Sequence, residues 1–176
     1  MSGGPVSIRL LRKEDVAAFT SAAHASATLH RPWLEAPSTI GGFRAYLRRS
    51  EEHDQFAYVI LSGADHGRMA GYATISSIVR GVLQSGYLGF AAFSGYERRG
   101  LMKAGLRLVV DEAFGELGLH RIEANVQPAN ERSAGLVRSL GFRLEGHSPR
   151  YLRVDGAWRD HDRYAATREE WPATGG

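Results

Sequence analysis

Apolar and polar positions along the chain change period several times, and each change marks an element. Residues 6–11 (VSIRLL) are β-branched at their start and partly alternating, which predicts a first strand. A helix is expected to open at residues 12–15 and run to about Ser26, because Val16, Phe19 and Ala23 fall three and four apart on one face. A loop containing HRPWLEAP (30–37) follows. Ser38 or Thr39 then supplies an N-cap for a second helix ending near Glu52.

Three strands come next, at 55–61, 69–77 and about 84–93. The link SGADHG (62–67) has the Gly and Asp of a hairpin loop. After Gly100 the helical period is clearest. Met102, Leu106, Val109, Ala113 and Leu117 form an apolar stripe, with Lys103, Arg107 and Asp111 on another face. Arg107 and Asp111 are spaced to pair, and Gly118 suits the left-handed position beyond the helix end. A strand over 120–126, a short helix capped by Asn130 and stopped by Gly141, and two antiparallel strands turning at Asp155-Gly156 complete the chain. The order β-α-α-β-β-β-α-β-α-β-β predicts an α/β or α+β layer on a mixed sheet. Nothing resembles a linker or repeat, so residues 1–176 are expected to form one domain with a core over about 6–168.

The composition narrows the chemistry. Of 176 residues, 43% are hydrophobic and 23% charged, which excludes wholesale disorder. Lys and Arg number 22 against 19 Asp and Glu, a net charge of +3 that suits anionic ligands without making a nucleic-acid coat. There is no cysteine, which removes disulfides, thiolate nucleophiles and Cys-ligated zinc. No His-Glu-x-x-His pattern involves His30, His120 or His161, so no metal is expected. No signal peptide is visible in MSGGPVS and no apolar run has membrane length, so the expectation is a cytoplasmic protein without a membrane partner.

Two stretches carry candidate chemistry. In YLGFAAFSGYERRGLM (87–102) a strand turns through Gly95 into Arg98-Arg99-Gly100 at a helix start. Unpaired first-turn N–H groups and the helix dipole there suit a diphosphate, although an ordinary turn with solvated arginines fits the spacing too. In HRIEANVQPANERSAGLVRSLGF (120–142), Asn130 and Ser133 stand at a helix start beside the end of a strand. Capping alone accounts for both.

Taken together, the two stretches resemble the GNAT superfamily of acetyltransferases, whose pyrophosphate pattern is Gln/Arg-x-x-Gly-x-Gly/Ala. More narrowly, GYERRGLMKAGL, LHRIEANVQPANERSAGLVRSLGF, RPWL and Trp158-Arg159-Asp160-His161 are similar to the branch that acetylates the N-terminal Ala or Ser of ribosomal proteins. The resemblance runs from about Ile8 to Thr167. It implies a splayed sheet of about seven strands flanked by about four helices, with acetyl-CoA in the gap between the strand ending near Phe93 and the strand starting at His120. It further implies that Phe90, Ala91, Ala92 and Phe93 pair with pantetheine, that Arg98, Arg99, Gly100, Leu101 and Met102 hold the pyrophosphate, and that Asn130 and Ser133 lie near the sulfur. Where the branch has Gln-Gly-Lys-Gly this chain has Glu97-Arg98-Arg99-Gly100, and Arg150 stands where some relatives have a carboxylate.

The reaction so implied is attack of a neutral amine on a thioester in a ternary complex. An α-amine of pKa about 7.8 is roughly a third neutral at pH 7.4, so it needs modest base catalysis. Glu123 is the candidate base or a partner for Arg121. Ser133 is the candidate donor to the thiolate or a cap residue. Arg31, Trp33 and Tyr151 are the candidate acceptor-binding residues, with Trp33 alternatively anchoring its loop. The expected acceptor is the N-terminus of a ribosomal protein. A small amine such as a polyamine or antibiotic, and a catalytically weak acyl-CoA sensor, are the alternatives. A weak ribosome contact through Arg44, Arg48 and Arg49, no DNA partner, and a monomer or homodimer complete the expectations.

Overall fold

A computed structural model describes residues 6–52 and 55–172; the leader reading of MSGGPVS lies outside them except at Val6 and Ser7. The elements are β1 (Val6–Leu10), α1 (Val16–Ala25), α2 (Ala27–His30), α3 (Ile40–Glu51), β2 (Phe56–Ser62), β3 (Arg68–Val79), β4 (Ser85–Ala92), α4 (Leu101–Phe114), β5 (Arg121–Val126), α5 (Glu131–Ser139), β6 (Arg143–Val154) and β7 (Ala157–Thr167). The seven strands form one sheet in the order β1-β2-β3-β4-β5-β7-β6. Every pairing is antiparallel except β4 with β5.

Alternation along the strands sorts the core onto two faces. Ile60, Ala73, Ile75 and Leu88 point toward one face with Ile122, Ala124 and Val126. They meet Leu106, Val109, Val110 and Ala113 of α4 and Ala134 and Val137 of α5. Ala57, Val59, Tyr72 and Ala91 point the other way, toward Phe19 of α1 and Phe43 and Tyr46 of α3. Phe19 is fully buried, with Tyr72, Phe43 and Phe93 ring centroids 5.1, 5.4 and 5.4 Å away. Each large side chain so buried contributes about 1.5–3 kcal/mol. Gly105 lets α4 approach β2, since a Cβ there would stand 2.4 Å from Cγ2 of Ile60.

Two boundaries differ from the pattern reading. The first helical stretch is broken at Ser26 into α1 and α2, giving five helices rather than about four. Its hydroxyl donates to the Ala22 carbonyl at 2.6 Å, and Ser26 leaves helical geometry at φ −97°, ψ 4°. The long helix ends at Phe114, so Leu117 falls in the turn beyond it. Gly115 leaves the helix at ψ −88°, and the left-handed Gly118 closes the following turn instead. Thr39, not Ser38, caps α3, its Oγ1 accepting from the Gly42 N–H at 3.1 Å. Arg107 donates to the Pro172 carbonyl and lies over the Trp171 ring, while Asp111 accepts from Trp171 Nε1.

Candidate active site

The two parallel strands part soon after they meet. β4 and β5 pair only at Ser85 with Arg121, Gly86 with Ile122 and Tyr87 with Glu123. No residue of β5 pairs with 88–92. In an antiparallel ladder the backbone groups of alternate residues face the same neighbour. Because the Phe93 N–H donates to Ala70 of β3, Phe90 and Ala92 turn their N–H and C=O groups away from β3, into the gap. A cleft of about 480 Å³ occupies this gap and its mouth. Its walls are largely apolar, built from Leu29, Trp33, Leu34, Phe90, Met102 and Leu136.

The mouth is built by the turn between β4 and α4. Arg98 (φ 59°) and Gly100 (φ 76°) are both left-handed, the conformation of backbone concavities that hold anions, and Gly100 caps the 14-residue α4. Glu97 Oε2 accepts from the Gly95 N–H at 2.7 Å, and Arg99 pairs with Asp65 at 3.0 Å while lying over Tyr96. Glu97 is therefore used within the turn, and Arg99 ties the turn to the β2–β3 connection. Arg98, Lys103 and Arg132 line the cleft and make no ion pair among the described residues. They leave three cations at the mouth of an apolar slot, the distribution that a molecule with a phosphorylated head and an apolar arm requires.

Asn130 and Ser133 line the same cleft from the start of α5. Asn130 Oδ1 accepts from the Ser133 N–H at 3.2 Å, so capping holds. The Ser133 hydroxyl has no hydrogen-bond partner among the described residues. Opposite them, Trp33 lines the cleft, and its carbonyl accepts from Gln127 Nε2 at 3.2 Å, fastening the RPWL loop to the end of β5. This loop contains a cis Arg31–Pro32 bond. The bend at Ser26 is fastened to the β4–α4 turn in turn, because Ser26 Oγ accepts from the Ser94 N–H at 2.9 Å.

The other expected site residues lie outside the cleft walls. Phe93 is buried on the α1 side because alternation turns it there, and Leu101 packs into the α4 core. Arg31 is exposed. Glu123 lies on the open face of β5, bonded to Arg121 Nε at 2.9 Å, and Arg121 also grips Glu145. Tyr151 meets Tyr87 on that same face, hydroxyl to hydroxyl at 3.4 Å. That contact, with burial, pushes the Tyr87 hydroxyl up to about 12, so it stays protonated. The sequence marks His30 only as a histidine outside any metal pattern, yet it lines the cleft while being 5% exposed. No group of His, Asp or Glu suited to a metal occurs among the described residues, and no helix there is long and apolar enough to cross a membrane.

A mixed sheet that opens at one parallel pair, with a left-handed turn and a helix start at the opening, defines the acetyltransferase class. The chain belongs to the acetyltransferase (GNAT) domain family, which matches residues 6–143. Among its relatives, the "[Ribosomal protein uS5]-alanine N-acetyltransferase" of Escherichia coli (strain K12) is 37% identical over 114 residues, covering 65% of this chain and 59% of that protein. The "Probable N-acetyltransferase YjcK" of Bacillus subtilis (strain 168) is 36% identical over 116 residues, 66% of this chain and 64% of that protein. The match thus spans about three-fifths of the length of these curated relatives. Among solved structures, Mycobacterium smegmatis RimJ in complex with CoA-disulfide superposes with a TM-score of 0.85 at 33% identity, covering 95% of this chain and 84% of that one.

Proposed function

We propose that the protein transfers acetyl from acetyl-CoA to a primary amine, and that the amine is the N-terminal α-amine of a protein of the ribosome. The observation that carries this reading is the opening between β4 and β5 with cations at its mouth and unpaired strand groups along its wall. Acetyl-CoA supplies an activated acyl group on a good leaving group. The chain supplies orientation and charge stabilisation. Gap-facing N–H groups of Phe90 and Ala92 are placed to hold the cofactor arm and the developing oxyanion. The Ser133 hydroxyl, free of other duties, is the donor to the departing thiolate. Arg98, Lys103 and Arg132 hold the phosphates.

Base catalysis is modest. Glu123 is already bound by Arg121, so its carboxylate serves the sheet face, and the ammonium proton leaves to water before attack. That suits an α-amine, roughly a third neutral near pH 7.4, far better than a lysine side chain at about 0.1%. Relatives named for a ribosomal-protein alanine, and a CoA-bound neighbour, support this choice of acceptor and donor.

The deciding experiment incubates the protein with acetyl-CoA and a panel of Ala- and Ser-initiated peptides, spermidine and free lysine. Thiol release and product mass are followed together. Addition of about 42 Da to the peptide N-terminus, at a rate above spermidine, is the expected outcome. Preference for spermidine would overturn the acceptor assignment, and CoA binding without acceleration by any amine would overturn the enzyme reading.

A further inference from the structure

His30 is a buried imidazole placed where the cofactor gap and the RPWL loop meet. Its Nε2 lies 2.8 Å from the Ala92 carbonyl oxygen. A carbonyl only accepts, so Nε2 carries a proton, and in the neutral ring Nδ1 is left with a lone pair. That Nδ1 is itself buried and has no hydrogen-bond partner. Leaving a buried acceptor unpaired is costly, and the great majority of such atoms in folded proteins are satisfied by protein, water or ligand. The surrounding chain fixes this ring rather than letting it turn away. The His30 carbonyl accepts from both Trp33 N–H (2.9 Å) and Leu34 N–H (3.1 Å), and the ring stands against Phe93.

His30 lines the cleft, so a donor on a molecule seated there is the partner that fits Nδ1. The neighbouring walls, Leu29, Leu34 and Ala92, are apolar, which selects a neutral N–H or O–H over an ammonium. Ala92 is also the last residue of β4, where the strand leads into the turn that carries Arg98 and Gly100. We propose that His30 is a cofactor-binding residue whose Nδ1 accepts a hydrogen bond from an amide N–H or the hydroxyl of the pantetheine arm. In this way the loop that walls the acceptor side is tied to the loaded cofactor. The inference rests on the acetyl-CoA reading above and deepens it.

The test is calorimetric titration of coenzyme A and three analogues into the wild-type protein and His30→Phe, which keeps a ring and removes both nitrogens. Two analogues replace one pantetheine amide each by an ester, and the third lacks the pantoyl hydroxyl. One analogue is expected to bind the wild-type protein roughly three- to tenfold more weakly than coenzyme A, the worth of one neutral hydrogen bond. Against His30→Phe that analogue and coenzyme A bind alike. Equal losses in both proteins, or a His30→Phe change confined to the acceptor KM, overturn the proposal. Where His30→Phe fails to fold, the Nδ1 nitrogen resonance of the wild-type protein is followed instead. A shift on adding coenzyme A supports the bond, and an unmoved resonance in the saturated protein overturns it. Failure of coenzyme A to bind the wild-type protein at all would instead remove the acetyl-CoA reading itself.

Discussion

Tyr87 and Glu123 are the last residue pair that holds β4 to β5; beyond them the strands diverge. Residues 88–92 of β4 are left without a strand partner on that side, and the Ala92 carbonyl accepts from His30 instead. Unpaired strand groups are costly inside a protein, so a fold that keeps them needs something to fill the slot. The same pair marks the edge of the open sheet face, where the Tyr151 hydroxyl meets that of Tyr87.

Asn130 and Ser133 are expected to separate on substitution. Asn130→Ala removes the cap on the Ser133 N–H and should lower stability by about 1 kcal/mol in urea titration. Ser133→Ala removes a hydroxyl with no hydrogen-bond partner among the described residues, so its stability should stay within about 0.5 kcal/mol of the original. Its kcat should instead fall roughly 100-fold in a thiol-release assay, as for loss of a general acid. An equal stability loss in both variants would return Ser133 to a purely structural role.

Gly105→Ala tests the contact between α4 and β2. The added Cβ would lie 2.4 Å from Ile60 Cγ2 in a fully buried layer, so either the helix or the strand must move. Overpacking of this kind costs about 1–3 kcal/mol, a Tm reduction of roughly 2–12 °C for a chain of this size. Scanning calorimetry measures it, and an unchanged Tm would show that the Ile60 side chain simply gives way.

Arg98→Gly is expected to stabilise the fold. The left-handed φ of 59° costs an arginine about 1 kcal/mol that a glycine does not pay. Denaturation should show that gain. Coenzyme A binding should lose part of its salt dependence, because one of the three cations at the mouth is gone. A stability loss would mean that the side chain holds the turn together.

Glu145 sets an acid limit. The Arg121 guanidinium, followed by that of Arg143, holds its carboxyl down at about 2. Because the folded value lies below the ordinary carboxylate range, the contribution is complete above about pH 5 and disappears as pH falls through about 2. Glu145→Gln should therefore destabilise the protein at pH 7 by on the order of 1 kcal/mol, allowing for solvent screening of a surface network. The two proteins should converge in acid. A gap that stays constant down to pH 2 would assign the effect to packing.

Much of this architecture is legible from local chemistry. The β-branched strands, the cap-and-glycine signals at Asn130 and Gly141, and the Asp155-Gly156 turn are set by residues close in sequence, and they match the strands, the last helix and the hairpin found. What could not be read locally depends on partners far along the chain. The bend at Ser26, made locally by its bond to Ala22, is also anchored by Ser94, 68 residues away, whose N–H donates to the serine hydroxyl. His30 stays a bland member of a loop until the end of β4 lies beside it, 62 residues later. For Glu123 the sequence offers both a base and a partner for Arg121, and the 2.9 Å bond between the two side chains is the feature that only the folded chain displays.

The serine-to-turn bond has a kinetic corollary. The Ser26 hydroxyl accepting from the Ser94 N–H, and the Ser94 hydroxyl donating to the Ala25 carbonyl, link the bend before RPWL to the turn proposed to hold the phosphates, so a shift at that turn should reach the loop proposed to seat the acceptor. The donor should accordingly load first and the acetylated product depart ahead of free coenzyme A. Weakening the link with Ser26→Ala should loosen that order, which product-inhibition patterns reveal.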